Sequence, residues 1–449
     1  MEYKSQAPSG PTISPRIIIH GGAGNISPAT VPPGKYALYR EALLNIIGKT
    51  HTHMTTPSKA TSPSPHLPSA LETATYAVTL LEDNPLFNSG HGSVFTRDGI
   101  NELEASVMVS RGFAKRGVGV TGLRRVRNPI LLARAILEHG DADLSAMRRT
   151  DGPCLDVPSA QGHSLIHGRT AEILAERYQL PLVEPEYFFT QTRWDEHLRA
   201  LKDERNGKAL DATWSCDSYL PQGTVGAVAL DADGIVCAAT STGGMTNKLT
   251  GRIGDTPMVG AGFWAEEWID GRGFARDMWP DRTRRGHGPI VMLSESLKGL
   301  MADCLPTPFM YNPVPPGDGD ASPLITTRSI AVSGTGNGDS FIRVAAARTA
   351  SAIARYSGVS STNAVHRVAG PGGELQKSAG NRWGITGEGQ GGMIAIGCTV
   401  VGDPEGNAIA ARGEIIEDFN SGGMFRAWID EDGRAVARVF RDDVPVSDC

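Results

Sequence analysis

A threonine hydroxyl is a weak nucleophile until a base stands beside it, and a threonine at a chain terminus carries that base as its own α-amine. The segment Gln222-Gly223-Thr224-Val225-Gly226-Ala227-Val228 could become such a site if the peptide bond before Thr224 were cut. An α-amine with an ordinary pKa of roughly 7.7 to 8.0 keeps a neutral fraction near physiological pH, so one residue would be nucleophile and base together. Gly223 suits the acyl side of that bond, having no Cβ to obstruct attack and tolerating strained backbone angles. Read alone, the same residues also describe a turn glycine followed by a β-branched strand residue.

Three further segments follow: Thr240-Ser241-Thr242-Gly243-Gly244, Gly251-Arg252-Ile253-Gly254-Asp255-Thr256-Pro257 and Gly260-Ala261-Gly262. A small substrate with both an α-carboxylate and an α-amine needs a cation and an anion at fixed separation, which Arg252 and Asp255 could supply. The same pair could be a surface salt bridge. Thr242 could hydrogen-bond the nucleophile or satisfy a turn. Competing motifs are poorer. Gly387-Glu388-Gly389-Gln390-Gly391-Gly392 has the spacing of a dinucleotide loop but precedes a strand instead of joining strand to helix. His163 and His167 stand four apart without a third metal ligand, and Arg282-Thr283-Arg284-Arg285 reads as a solvated basic loop.

The elements that must position these residues can be read from pattern. Ile17-Ile18-Ile19 predicts a buried strand running into the flexible loop His20-Gly21-Gly22-Ala23-Gly24. Helices are predicted over 35–48, 70–81 and 128–139, the last with Asn128 as cap, Pro129 in its first turn and Gly140 past its end. Hairpins are predicted for 225–230 with 235–240, for 393–401 with 408–411, and for 425–429 with 435–440. A strand at 330–332 enters Ser333-Gly334-Thr335-Gly336-Asn337-Gly338-Asp339, followed by a helix over 340–356, so a glycine loop meets a helix N-terminus. Residues 196–222 read as exposed and mobile. The stretches 51–68, 266–328 and 358–385 read as a linker and two insertions. Helices early and hairpins late predict an α+β protein of stacked, mainly antiparallel sheets covered by helices.

The 449 residues could form several domains or one large sandwich. With 40% apolar and 20% charged residues, 54 glycines and 29 prolines, the chain reads as an ordinary globular protein rich in turns. A net charge of −6 argues against a nucleic-acid or anionic-membrane surface and favours a small-molecule or peptide substrate. The six cysteines are dispersed, without zinc or disulfide spacing. The N-terminus shows no apolar signal core and no later stretch is apolar enough to span a bilayer, so a cytoplasmic protein is expected and the Asn25-Ile26-Ser27 glycosylation pattern is set aside.

In this order and spacing, GTVGAVALDADG, TSTGG, GRIGDTP and VGAG resemble the start of the β-subunit in the plant-type L-asparaginase and isoaspartyl dipeptidase family. IIIHGGAG and LEDNPLFNSGHGSVFTRDGINELEASVM resemble that family's α-subunit, and FNSGGMFRAW its closing segment. The likeness covers most of residues 16–263, then 330–356 and 390–428. It implies an N-terminal-nucleophile hydrolase fold, a four-layer αββα sandwich, as one domain over 1–449 that cuts itself between Gly223 and Thr224 into a 1–223 α-subunit and a 224–449 β-subunit. The implied activity is hydrolysis of L-asparagine or of β-aspartyl dipeptides. Carried over position by position, the resemblance makes Thr224 the nucleophile and Thr242 its hydrogen-bonding partner. It makes Thr335 and Gly336 the oxyanion hole, Arg252 and Asp255 the clamp on substrate α-carboxylate and α-amine, and Gly338 a substrate-contacting backbone. Asn88 falls beside the nucleophile. Leu81, Glu82, Asn84, Phe87, Ser89 and His91 match a loop that holds a structural sodium ion through backbone carbonyls, while no cofactor is implied for the chemistry. The implied assembly is a homodimer of processed αβ units.

Asn337-Gly338-Asp339 also resembles the glycosylasparaginases, which share the nucleophile. A taspase-like endopeptidase would share it as well, and a non-processing, ligand-binding homologue would keep the fold without the cut. The inserted stretch that begins just after Gly260-Ala261-Gly262 leaves the substrate range open.

Overall fold

The computed structural model describes residues 13–57, 66–146, 160, 162–207, 223–270, 324–403 and 408–441, with the side chains of 141–146 excepted. The insertion expected at 266–328 lies mostly outside the described residues, as do the basic cluster at 282–285 and the middle of the 51–68 linker.

Three isoleucines in a row make sense in a strand covered on both faces. Ile17 and Ile19 of β1 (Arg16–Gly24) pack against helices, while Ile18 between them faces a second sheet. The glycine loop predicted at 20–24 is the second half of this strand, pairing with β11 (Gly423–Ile429) as far as Gly24↔Gly423. The predicted hairpin of β5 (Val225–Leu230) and β6 (Val236–Thr242) joins β1, together with β2 (Leu103–Val109), β3 (Gly117–Leu123), β4 (Leu165–His167) and β12 (Ala435–Arg438). These strands form an eight-stranded sheet in the order β12-β11-β1-β5-β6-β2-β3-β4, antiparallel except for β3 with β4. The second sheet, β10-β9-β8-β7, is antiparallel and comprises β7 (Phe263–Asp270), β8 (Ile325–Gly336), β9 (Gly391–Gly402) and β10 (Ala408–Phe419). The strand predicted at 330–332 is thus the middle of a longer one.

On the outer face of the large sheet lie α1 (Pro33–Thr55), α2 (Ala70–Glu82), α3 (Pro129–Ala146) and α4 (Gly168–Arg177). α1 continues past 48 into the expected linker. α2 starts with a capping box, Ser69 Oγ accepting from Glu72 N–H and Glu72 accepting from Ser69 N–H. On the outer face of the small sheet lie α6 (Gly338–Val344), α7 (Ala346–Tyr356), α8 (Ser361–Ala369) and α9 (Glu374–Ser378). The helix predicted over 340–356 is two helices, because Ala345 adopts a left-handed φ of 46° between them. The 358–385 stretch, expected as an insertion, supplies Ala364, Val365, Val368 and Leu375 to this layer's core. Residues 196–207, expected to be mobile, largely belong to α5 (Gln191–Arg205), whose Arg193, Glu196 and His197 are buried. In space the layers run helix, sheet, sheet, helix, the αββα sandwich of the N-terminal-nucleophile hydrolases. Among the described residues, no helix is long and apolar enough to cross a membrane.

Candidate active site

Thr224 stands immediately before β5, the strand between β1 and β6, and is 3% exposed. Its carbonyl is held from the layer between the sheets by His20 of β1, whose Nδ1 lies 2.9 Å away. A carbonyl only accepts, so Nδ1 carries the proton. Burial pushes the ring pKa down to about 3, which keeps it neutral and leaves Nε2 to accept from Ser333 Oγ at 2.7 Å. Ser333 in turn accepts from Thr240 Oγ1 at 3.1 Å. Gly226 makes room for this chain, since a Cβ there would lie 2.2 Å from Ser333 Oγ and 2.4 Å from His20 Nε2.

Gly223 lies directly on β1. A Cβ at Gly223 would stand 2.3 Å from Gly22 Cα and 2.9 Å from Ala23 N, so no larger residue fits without moving the strand. Ala23 N–H donates to Thr335 Oγ1 at 3.2 Å. The bond expected to be cut and the expected oxyanion threonine therefore both lie against Ala23. Gly336 follows with φ of +139°, and a Cβ there would come within 2.4 Å of Gln390 O. Only seven residues of helix follow in α6, so the electrostatic help expected from a long helix dipole is small.

The clamp segment bends between β6 and β7. Asp255 is 4% exposed, and burial pushes its carboxyl pKa up to about 7 against the pull of Arg252, with Glu104 and Asp339 adding to the rise. Oδ1 faces Gly338, where a Cβ would stand 2.6 Å away, and Oδ2 faces Gly262, with no hydrogen-bond partner among the described residues. Two glycines thus pack closely against a buried carboxyl, one of whose oxygens has no hydrogen-bond partner among the described residues. Arg252 is only partly buried and its Nη2 lies 3.1 Å from Asp339 Oδ1.

The residue after Asp255 closes the circuit. Thr256 Oγ1 is 3.1 Å from Thr224 Oγ1. Thr242, the expected partner, lies across the strand from Thr224, following the Val225↔Ser241 pair, and its hydroxyl accepts Gly244 N–H at 3.0 Å. Asn88 likewise serves the turn after Thr242, donating to Gly244 O at 2.6 Å and accepting from Val94 N–H at 3.1 Å. Thr256 belongs to the Gly251–Pro257 motif, where nothing in its residue type distinguishes it from an ordinary turn threonine. His20 could have been found by parity, since alternate residues of a strand share a face and Ile18 faces the second sheet.

The segment from Leu81 to His91 folds back on itself after α2. A Cβ on Gly90 would meet Glu82 O at 2.4 Å, and one on Gly92 would meet Phe87 O at 2.1 Å and Pro85 O at 2.7 Å. Carbonyl oxygens converge on glycines here, a donor set suited to a hard cation. His91 Nδ1 donates to Tyr187 O at 2.5 Å, which ties the end of this segment to the chain before α5. Among the described residues no group of three His, Cys, Asp or Glu side chains could hold a metal ion, and His167 ends a strand instead of sharing a helix with His163.

The family model described as Asparaginase matches residues 13–146 and 156–271. An isoaspartyl peptidase of Escherichia coli (strain K12) is 34% identical over 413 residues, 92% of this chain and 92% of the relative. A plant-type L-asparaginase of Pyrococcus furiosus is 35% identical over 254 residues, 56% of this chain and 70% of the relative. A probable isoaspartyl peptidase/L-asparaginase 2 of Arabidopsis thaliana is 27% identical over 447 residues, 93% of this chain and 96% of the relative.

Proposed function

The chain belongs to the asparaginase family, and from that membership we propose that it is a self-processing threonine hydrolase acting on L-asparagine and on β-aspartyl dipeptides. In the precursor, Thr224 Oγ attacks the carbonyl carbon of Gly223, the peptide nitrogen leaves as the α-amine, and water hydrolyses the resulting ester. In turnover that amine takes the hydroxyl proton as Oγ attacks the side-chain amide carbon of the substrate. Ammonia, or the amino group of the second residue, departs with a proton. A β-aspartyl ester on Thr224 is left, and water releases L-aspartate from it.

The observation that carries this reading is the buried oxygen of Asp255 that has no hydrogen-bond partner among the described residues, one residue from the Thr256 hydroxyl that touches Thr224. An anion between two glycines, beside a nucleophile, suits a substrate ammonium. Arg252 then takes the α-carboxylate. Thr335 suits the oxyanion because its oxygen already accepts from Ala23 N–H, which leaves its own proton to donate. The Gly336 backbone is the second donor, and one such donor typically contributes about 2.7 to 4 kcal/mol to transition-state stabilisation. Thr242, across the strand, keeps the turn behind the nucleophile in place.

The carbonyls of Leu81, Glu82, Asn84, Phe87, Ser89 and His91 are proposed to hold a sodium ion that orders the loop carrying Asn88. A dimer of processed αβ units and a cytoplasmic location complete the proposal. The latter is supported by Cys237 and Cys398, which are buried free thiols. Denaturing electrophoresis tests the core of it. Purified protein should resolve into fragments 1–223 and 224–449 and hydrolyse L-asparagine or β-Asp-Leu, and Thr224→Ala should give one intact, inactive band. Turnover by that variant would refute the nucleophile.

A further inference from the structure

One face of β2 is built to hold the substrate clamp. Residues two apart on a strand share a face, and on this face three consecutive positions each bind the backbone of the loop that carries Arg252 and Asp255. Glu102, just before the strand, accepts Gly251 N–H at 2.7 Å. Glu104 accepts Gly254 N–H with its two oxygens at 3.4 and 3.3 Å. Ser106 Oγ donates to Thr256 O at 2.6 Å. The three contacts flank the clamp residues, since Arg252 lies between the first pair and Asp255 between the second. The last contact also fixes the backbone of the threonine that reaches Thr224.

Glu104 is the unusual member. It is 1% exposed, and a buried carboxylate is costly without a counter-charge. Lys248, 3% exposed, supplies that charge at 3.5 Å and also donates to Glu102 O at 3.1 Å. The lysine stem lies over Gly244, where a Cβ would come within 2.7 Å of Cδ. The Arg252 guanidinium folds over Gly254, its Nη1 standing 2.9 Å and Glu104 Oε2 3.5 Å from where a Cβ would be.

We infer that Glu104, with Lys248 as its buried counter-ion, is a positioning residue that holds the Gly251–Thr256 backbone so that Arg252 and Asp255 meet the substrate at the right separation. Resting on the proposed amidohydrolase reading, this assigns Glu104 to affinity for the amino-acid end of the substrate and not to the bond-making step. It also crosses the proposed cleavage: the side chains of the brace that grip the clamp backbone come from the 1–223 fragment, and the clamp they hold comes from the 224–449 fragment.

The test compares wild type, Glu104→Gln and Glu104→Gln/Lys248→Met as full-length, processed proteins. Gln keeps an acceptor for Gly254 N–H but removes the charge, and the double variant leaves no unpaired charge in the interior. Glu104→Gln should still be cut into two fragments, with KM for L-asparagine and β-Asp-Leu raised about tenfold and kcat held within about threefold. The double variant should regain the wild-type melting temperature while KM stays high. Because Glu104 is one of the groups that raise the Asp255 pKa, alongside Asp339 and against Arg252, the acid limb of kcat/KM should move to lower pH in both variants. Unchanged KM in both variants, or recovery of KM together with melting temperature in the double variant, would overturn the inference. Should the single variant not fold, the double variant decides by the same KM criterion. If wild type hydrolyses neither substrate, the amidohydrolase reading fails separately, and calorimetric binding of L-aspartate then decides. Weaker binding in the variants upholds the brace, and equal or undetectable binding in all proteins rejects it.

Discussion

In the proposed clamp Asp255 meets the substrate ammonium, yet burial pushes its carboxyl pKa up to about 7. A raised carboxyl pKa favours the neutral acid below that point, so the anion needed to bind an amine forms only as pH rises. Binding of L-aspartate should therefore tighten as pH is taken from 6 to 8, read by calorimetry. Asp255→Asn should flatten the dependence and weaken binding by about 3 kcal/mol, near a hundredfold. Unaltered pH dependence in that variant would assign the titration elsewhere. At this scale the sequence was informative wherever chemistry needs a particular side chain. Thr224, Arg252 and Asp255 were candidates by residue type, and the resemblance of the motifs around them is what gave them roles. Thr256 carries no such signal, and strand parity puts His20 on the inner face without placing its ring beneath the Thr224 carbonyl, because such contacts are set by which strands become neighbours, some of them hundreds of residues apart.

Hydrophobic periodicity located α1, α2 and α3 and missed α5, and the reason is physical. α5 docks through polar groups: Arg193 donates to Gly92 O at 2.9 Å and Leu86 O at 2.6 Å, pairs with buried Glu196 at 2.9 Å, and His197 bonds Asn247. A helix held this way carries no apolar stripe for the eye to find. Its anchors grip both ends of the carbonyl-rich turn after α2. Arg193→Ala, which removes the guanidinium bound to buried Glu196, should cost about 3 to 5 kcal/mol in denaturant unfolding. The proposed sodium ion acts on the same turn, so replacing sodium with caesium should lower the wild-type melting temperature. A melting temperature indifferent to the alkali cation would remove sodium from the proposal. The break at Ala345 was hidden for a different reason, since nothing in an alanine announces a left-handed backbone.

For the whole molecule, the stacked sheets could be inferred from hairpins, but their strand order could not. β1 lies between β5 and β11, so Ile18 pairs with Val228 on one side and with Trp428 on the other. Local pattern says nothing about partners at such separations. In the eight-stranded order, β1 to β4 precede the proposed cut, while β5, β6, β11 and β12 follow it. The two fragments should therefore co-elute from a native sizing column, and light scattering should give the mass of two αβ units. Separation without denaturant would contradict the sheet order, and the mass of one unit would reject the dimer.

With the chain cut as proposed, that interleaved order would also make maturation a one-way ratchet. The precursor finds its fold as a single chain, with the peptide link acting as an internal chaperone that keeps β1 within reach of both its neighbours. Once the link is cut, regaining the large sheet becomes a second-order encounter between two chains, each of which holds only half of its strands. Persistence of the mature protein then rests on the height of its unfolding barrier more than on an equilibrium it could revisit.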